Sequence, residues 1–333
     1  MTLGVLSSCA AVVGSSQHVS INDESIAKVA SDPMDSPETP GWDVDLHFRA
    51  ENDEHTAMWL LVLDALNFCF WGEGDDPSVR WRVGWKNELV DGYVALVAAL
   101  TRAMDNGYPL HDVQWLAEVS AEDVAAILAP EEGHTKIPLF ENRVANLREM
   151  GHGLLPYGAD PASAFISAAG GSAITLVKNI VDTFPSFNDV TKWTYAETSL
   201  PENEVRFYKR AQILVGDIAG GLAGSPLAEF HDLDQLTAFA DYKVPQILRE
   251  LGVLEYDAHL ATLVDNRRRI SAGSREEIEI RAATIVACDR LVTALRQRGR
   301  EITAAQLDWH LWSLSQHMPS GSRPYHLTET IFY

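Results

Sequence analysis

Apolar residues recur at three- and four-residue spacing along most of the chain. This periodicity predicts helices over Met58–Trp71, Tyr93–Asn106, Ala121–Leu128, Arg143–Met150, Ala173–Thr183, Val205–Ala219, Gln246–Leu251, Glu276–Arg298 and Ala304–His317. Two-residue alternation is scarce, and only Trp81–Trp85, ahead of Asn87, reads as a short hairpin arm. The expected class is therefore all-α with a minor β element. There is no internal repeat, and the linker-like stretches are Ser31–Pro40, rich in Pro, Asp and Ser, and Gly151–Pro161. A single domain over 1–333 is expected, with 151–161 the place where two helical lobes would meet.

Composition narrows the partners. At 333 residues and 46% hydrophobic content the chain can bury a large core. A net charge of −21 opposes the counterion release on which binding to duplex nucleic acid depends, and a small-molecule partner fits better. Cys9, Cys69 and Cys288 are odd in number and far apart, which suits reduced thiols rather than a disulfide framework or a thiolate metal site. The apolar start, Met1–Gly14, lacks the basic flank of a signal peptide, and nowhere do about eighteen uninterrupted apolar residues occur, as a membrane-spanning helix requires. A cytoplasmic protein without membrane attachment is expected.

Polar residues inside apolar stripes are the candidates for chemistry. Asp64 and Asn67 sit in a stretch that is apolar all round, together with Trp71, so they are expected inside, either tying the helix to its neighbours or meeting a ligand. In Val205–Ala219 the stripe is Phe207, Ala211, Leu214 and Ile218, with Arg210 and Asp217 on one flank. Tyr208, Lys209 and Arg210 at its start could clamp a phosphate, or Arg210 could belong to a structural ion pair. In Glu276–Arg298 the row Leu295, Cys288 extends back to Arg281, a guanidinium that must meet a carboxylate or phosphate. Glu277, one turn earlier, is the local partner, although Ser274 to Glu277 also fits a capping box.

Asp241 has a different setting. Pro245 favours a helix starting there and pushes Val244 towards extended backbone, which places Asp241 on the approach, between Phe239 and Tyr242. It is either a capping residue or a partly desolvated carboxylate with a strong field on a bound cation. Asp308 with Trp312 one turn later, and the aromatic tail 325–333, suit a flat heterocycle or plain core packing. The histidines show no ligand spacing, so no metal is expected. Walker, dinucleotide-binding and nucleophile-elbow loops are also missing, and no cofactor is expected.

Five segments in order, 66–71 (Leu-Asn-Phe-Cys-Phe-Trp), 184–190 (Phe-Pro-Ser-Phe-Asn-Asp-Val), 207–215 (Phe-Tyr-Lys-Arg-Ala-Gln-Ile-Leu-Val), 239–246 (Phe-Ala-Asp-Tyr-Lys-Val-Pro-Gln) and 277–281 (Glu-Ile-Glu-Ile-Arg), give the chain a specific likeness. It resembles the queuosine salvage proteins, the queuosine 5′-phosphate N-glycosidases, along essentially its whole length. The resemblance implies an all-helical fold akin to DNA glycosylases, and release of queuine from queuosine 5′-monophosphate with ribose 5-phosphate left behind. It places the catalytic aspartate at Asp241 and pocket residues at Phe239, Ala240, Asp308 and His47. Tyr242, Trp312 and Asn67 join them as candidate substrate contacts, and Lys209, Arg210 and Arg281 as candidates for the 5′-phosphate.

The chemistry is consistent with that implication. Glycosidic cleavage passes through an oxocarbenium-like state, which a fixed carboxylate beneath the ribose stabilises as charge develops. A 7-deazapurine has carbon at position 7 and cannot be protonated there, so hydrogen bonds and stacking must steady the leaving base. A non-catalytic binding protein for queuine or its nucleotide, and a glycosylase acting on nucleic acid, are the alternatives.

Overall fold

A computed structural model describes residues 2–32, 46–72, 76, 78–193 and 203–333. The linker-like stretch beyond Asp32, as far as Pro40, lies outside the described residues. Helices dominate, and the sheets among the described residues are three two-stranded antiparallel pairs. The all-α expectation with a minor β element holds. No helix of the described residues is long and apolar enough to cross a membrane.

The chain divides into two compact units, each assembled from separated stretches. The first comprises Met1–Gly41, Asp189–Gln212 and Asp232–Thr330. Its centre is α13 (Arg275–Arg296), against which α1 (Val5–Val13), α2 (Asp23–Ser31), α11 (Lys243–Glu250) and α14 (Ala304–Gln316) pack. Ile280, Ala283, Ala287, Leu291 and Leu295 of α13 lie in one core cluster with Leu248, Leu307 and Leu311. The strand β1 (Val19–Ile21) pairs with β6 (Leu254–Tyr256), and β4 (Val190–Trp193) with β5 (Asn203–Arg206). This unit also holds α12 (Ala258–Asp265).

The second unit comprises Trp42–Asn188, Ile213–His231 and Ile331–Tyr333. Its buried helix α3 (Asp53–Ala65) packs against α4 (Gly92–Asp105), α7 (Phe140–Leu154) and α8 (Pro161–Ser167). The predicted hairpin arm is real: β2 (Arg82–Trp85) pairs with β3 (Glu88–Asp91) across a turn in which Lys86 and Asn87 both have positive φ. Helices α5 (Val113–Glu118), α6 (Ala121–Ile127) and α9 (Ala173–Thr183) complete it, and α10 (Lys209–Gly221) starts in the first unit and continues into the second. The stretch Gly151–Pro161 lies inside this unit. Gly151 is helical, and a Cβ there would sit 2.2 Å from the Ala117 amide nitrogen, so the glycine is what lets α5 approach α7.

Several helix ends differ from the periodic reading. The helix expected over Met58–Trp71 starts earlier, at an Asn52 cap, and stops at Ala65. The Arg143 guanidinium takes the carbonyls of Leu66, Phe68 and Cys69, and the Asn146 amide that of Ala65. Asn146 thus satisfies the last helical carbonyl, and the buried Arg143 cation holds the irregular chain just past it by supplying donors for its carbonyls. The helix expected over Val205–Ala219 begins only at Lys209. Residues 203–206 instead form β5, the Phe207 N–H donates to the Asp189 carbonyl at 3.0 Å, and Tyr208 has φ 50°. The helix expected from Gln246 begins at Lys243, and Val244 is helical rather than extended. Pro245 fits there because the first helical turn has no intrahelical acceptor for its N–H.

Candidate active site

The segment 237–241, just before α11, is irregular, with Thr237 half-buried and the rest buried, so its backbone groups need side-chain partners. Three residues supply them. From the first turn of α10, the Gln212 carboxamide accepts the Thr237 N–H at 2.9 Å and donates to the Thr237 hydroxyl at 3.0 Å and the Phe207 carbonyl at 2.9 Å. From α14, Asp308 Oδ1 accepts the Phe239 N–H at 2.8 Å. From α13, Arg281 Nε donates to the Ala240 carbonyl at 3.2 Å.

Asp241 follows directly. Its Oδ1 accepts the Lys243 and Val244 N–H groups at 2.7 and 2.8 Å, a capping arrangement that begins α11 before Pro245. Its Oδ2 has no hydrogen bond to any described residue. The carboxyl is raised above the ordinary aspartate range, chiefly by burial, against the opposing pull of Lys209, the two amides and Lys243.

Asp308 repeats the pattern. Only Oδ1 is engaged, and burial together with the neighbouring Asp241 charge pushes the group well above the usual carboxylate range, opposed by the Phe239 N–H and Lys209. Lys209 is a buried ammonium at the N-terminus of α10, where the helix dipole disfavours a cation, so nearby carboxylates are what make it tolerable there. Lys209 acts on both carboxylates and Lys243 on Asp241, and each carboxylate has one oxygen fixed and one uncommitted among the described residues.

The other sequence candidates divide between the units. Arg281 is paired with both oxygens of Asp189 and lies 3.4 Å from Glu277 Oε1, the local partner expected. Only half of the expected capping box forms, because Ser274 Oγ accepts the Glu277 N–H while Glu277 Oε2 accepts the Gly273 N–H rather than that of Ser274. Its guanidinium stacks 3.9 Å from the Phe207 ring centroid. These carboxylates answer its charge inside the scaffold. The nearby His326, completely buried, is pushed down to about 3 by burial and by Arg281, so it adds no second positive charge. Tyr242 packs on Tyr325 of the aromatic tail, centroids 4.8 Å apart, and the Trp312 ring packs against the core cluster of the first unit. Arg210 is fully buried on the first turn of α10.

His47 and Asn67 belong to the second unit. His47 Nε2 lies 2.9 Å from the Tyr93 hydroxyl, with Trp59 edge-on to the imidazole. Burial and the charges of Asp217 and Asp64 push the Tyr93 phenol well above its ordinary value, so it stays protonated. Asp64 and Asn67 are buried as expected, but Asn67 lies past the end of α3 and donates to Asp64 Oδ1 at 3.1 Å, a pairing the sequence reading did not anticipate. Sequence reasoning missed Gln212, Thr237, Asp189 and Tyr93 as organising residues. Gln212 and Asp189 stood within recognised segments, but no spacing rule marks a glutamine that satisfies a distant loop. Among the described residues, no three His, Cys, Asp or Glu side chains converge in a metal-binding arrangement.

Comparison with known proteins settles the family. The sequence profile of the queuosine salvage protein family matches residues 46–333. The chain belongs to that family. Among its relatives, a protein of Sphaerobacter thermophilus is 46% identical over 99% of this chain and 98% of its own length. One from Dictyostelium discoideum is 32% identical over 97% and 96%, and one from Mus musculus 34% identical over 84% and 83%. Each of the three is named a queuosine 5′-phosphate N-glycosylase/hydrolase. The family match takes in both units of the fold, including every candidate residue discussed above.

Proposed function

We propose that this queuosine salvage family member hydrolyses the N-glycosidic bond of queuosine 5′-monophosphate, giving queuine and ribose 5-phosphate, with Asp241 as the carboxylate that faces the sugar. The observation carrying this reading is the state of Asp241: buried, immobilised through Oδ1 by two backbone amides, and with Oδ2 uncommitted. A carboxylate that needs no reorganisation to meet positive charge at the anomeric carbon favours the oxocarbenium-like state over the ground state. The same oxygen is suited to orient a water and accept its proton.

Phe239, Tyr242 and Trp312 offer aromatic faces of the kind a flat base stacks on, and Ala240 lies between Phe239 and Asp241 in the same motif. For the 5′-phosphate the basic residues are Lys209 and Arg210. We assign Arg281 to the scaffold, since it is already held by Asp189 and Glu277. The net charge of −21 supports a small nucleotide rather than a polynucleotide as substrate, and a cytoplasmic location accords with such a substrate.

Incubation with queuosine 5′-monophosphate, followed by chromatography for free queuine, tests the activity; ligand binding without base release would make the chain a binding protein instead. Asp241→Asn keeps an acceptor for both amides, and should retain substrate binding while losing about 10²- to 10⁴-fold in turnover. Near-normal turnover in that variant would remove Asp241 from the reaction.

A further inference from the structure

We propose that Asp308 is the proton donor to the leaving base: Asp241 and Asp308 each anchor one oxygen on backbone N–H groups and leave the other for reacting atoms, Asp241 for the sugar and Asp308 for the base. This rests on the N-glycosidase reading above. The two carboxylates are placed by different elements, α14 for Asp308 and the approach to α11 for Asp241, and the Phe239 N–H ties the first to the segment carrying the second.

A 7-deazapurine needs such a donor. Its glycosidic nitrogen belongs to a pyrrole-type ring and leaves poorly as an anion, and the ring position that purines offer for protonation is carbon. The proton must therefore reach a heteroatom of the pyrimidine ring. An ordinary aspartate would be ionised at neutral pH and could only accept hydrogen bonds. Asp308 is different. Burial and the Asp241 charge favour its neutral form, the Phe239 N–H and Lys209 oppose it, and the Cys288 thiol of α13, itself pushed up by burial and by Asp308 and Asp289, adds no charge. Two interacting carboxyls pushed apart in this way divide acid and base roles between them.

The step balances with water alone. As the bond between the anomeric carbon and the base nitrogen breaks, its electron pair stays with the base, and the Asp308 proton goes to a ring heteroatom of the base. The water oxygen bonds to the anomeric carbon, and one water proton passes to Asp241. Neutral base and ribose 5-phosphate leave, and the proton on Asp241 is exchanged through solvent for one on Asp308, restoring the starting pair.

The test is Asp308→Asn, which keeps an oxygen for the Phe239 N–H but cannot donate an acidic proton. It is assayed on queuosine 5′-monophosphate and on 4-nitrophenyl ribofuranoside 5-phosphate, whose nitrophenolate leaves unprotonated. A loss of about 10²- to 10⁴-fold is expected on the nucleotide and less than about tenfold on the nitrophenyl compound. The kcat/KM profile of the wild type should fall on the alkaline side as Asp308 ionises, and the variant should lack that limb. Equal losses on the two substrates, or an alkaline limb that persists in the variant, would overturn the proposal. The pH profile alone decides if the wild type does not turn over the nitrophenyl compound. No queuine release by the wild type would instead reject the parent activity.

Discussion

Among the described residues of the first unit, two buried pairs of carboxylates each lie beside a buried cation and are put to different use. In one, the Arg281 fork meets both oxygens of Asp189 and one of Glu277, and its Nε reaches the Ala240 carbonyl. In the other, Lys209 acts on Asp241 and Asp308, and each carboxylate spends a single oxygen on backbone amides. A planar guanidinium matches a carboxylate at two points and stays charged at every relevant pH, which suits a joint. An ammonium is a point charge that stabilises two carboxylates without saturating them. The contrast separates charge that holds the fold from charge kept for a substrate.

Removing the fork should give the largest effect on folding. Arg281→Met leaves Asp189 and Glu277 buried without their cation and is expected to cost about 3 to 5 kcal/mol, read as a lower urea midpoint. An unchanged midpoint would dissolve the distinction between the clusters. Gln212→Leu is intermediate. It leaves the Thr237 N–H and the Phe207 carbonyl without their partner, costing about 1 to 3 kcal/mol, and faster amide exchange over 237–241 should accompany the loss. Protection equal to the wild type would show that the glutamine does not hold the segment.

The smallest effect carries the opposite sign. The folded-state value of Asp308 is raised, so the folded protein binds its proton more tightly than the unfolded chain does. That contribution is complete below about pH 4, the ordinary aspartate range, and is lost as pH rises through the raised value. Asp308→Asn should therefore melt at a higher temperature than the wild type near neutral pH, with the gain fading in acid. A site residue whose removal stabilises the fold marks a place where stability has been given up for chemistry. A variant that melts lower at every pH would place Asp308 with the scaffold.

Much of this was readable in the sequence. Ala173–Thr183 is bounded as its periodicity predicts, because its Ser172 cap and amphipathic spacing are local signals. The Ser274 cap, Arg281 and its local partner Glu277 were also visible, but the second partner was not, since Asp189 lies 92 residues away in sequence. What failed depended on distant groups. Asn146 and Arg143 hold the end of α3 and the chain just past it, and the Asp189 carbonyl holds Phe207 out of α10. At the candidate site, the family motif and the Pro245 context pointed to Asp241, and the resemblance pointed to Asp308. The sequence could not reveal that one capping interaction and one long-range amide contact would leave each of them with a single spare oxygen.

The discontinuity of the first unit bears on how it forms. Ser16 reaches the Glu279 carboxylate at 2.7 Å across 263 residues, and β1 pairs with β6. Contacts so remote in sequence close a large loop before they are rewarded, which slows folding. During synthesis the opening helices must wait, without their α13 partner, until most of the polypeptide has been made.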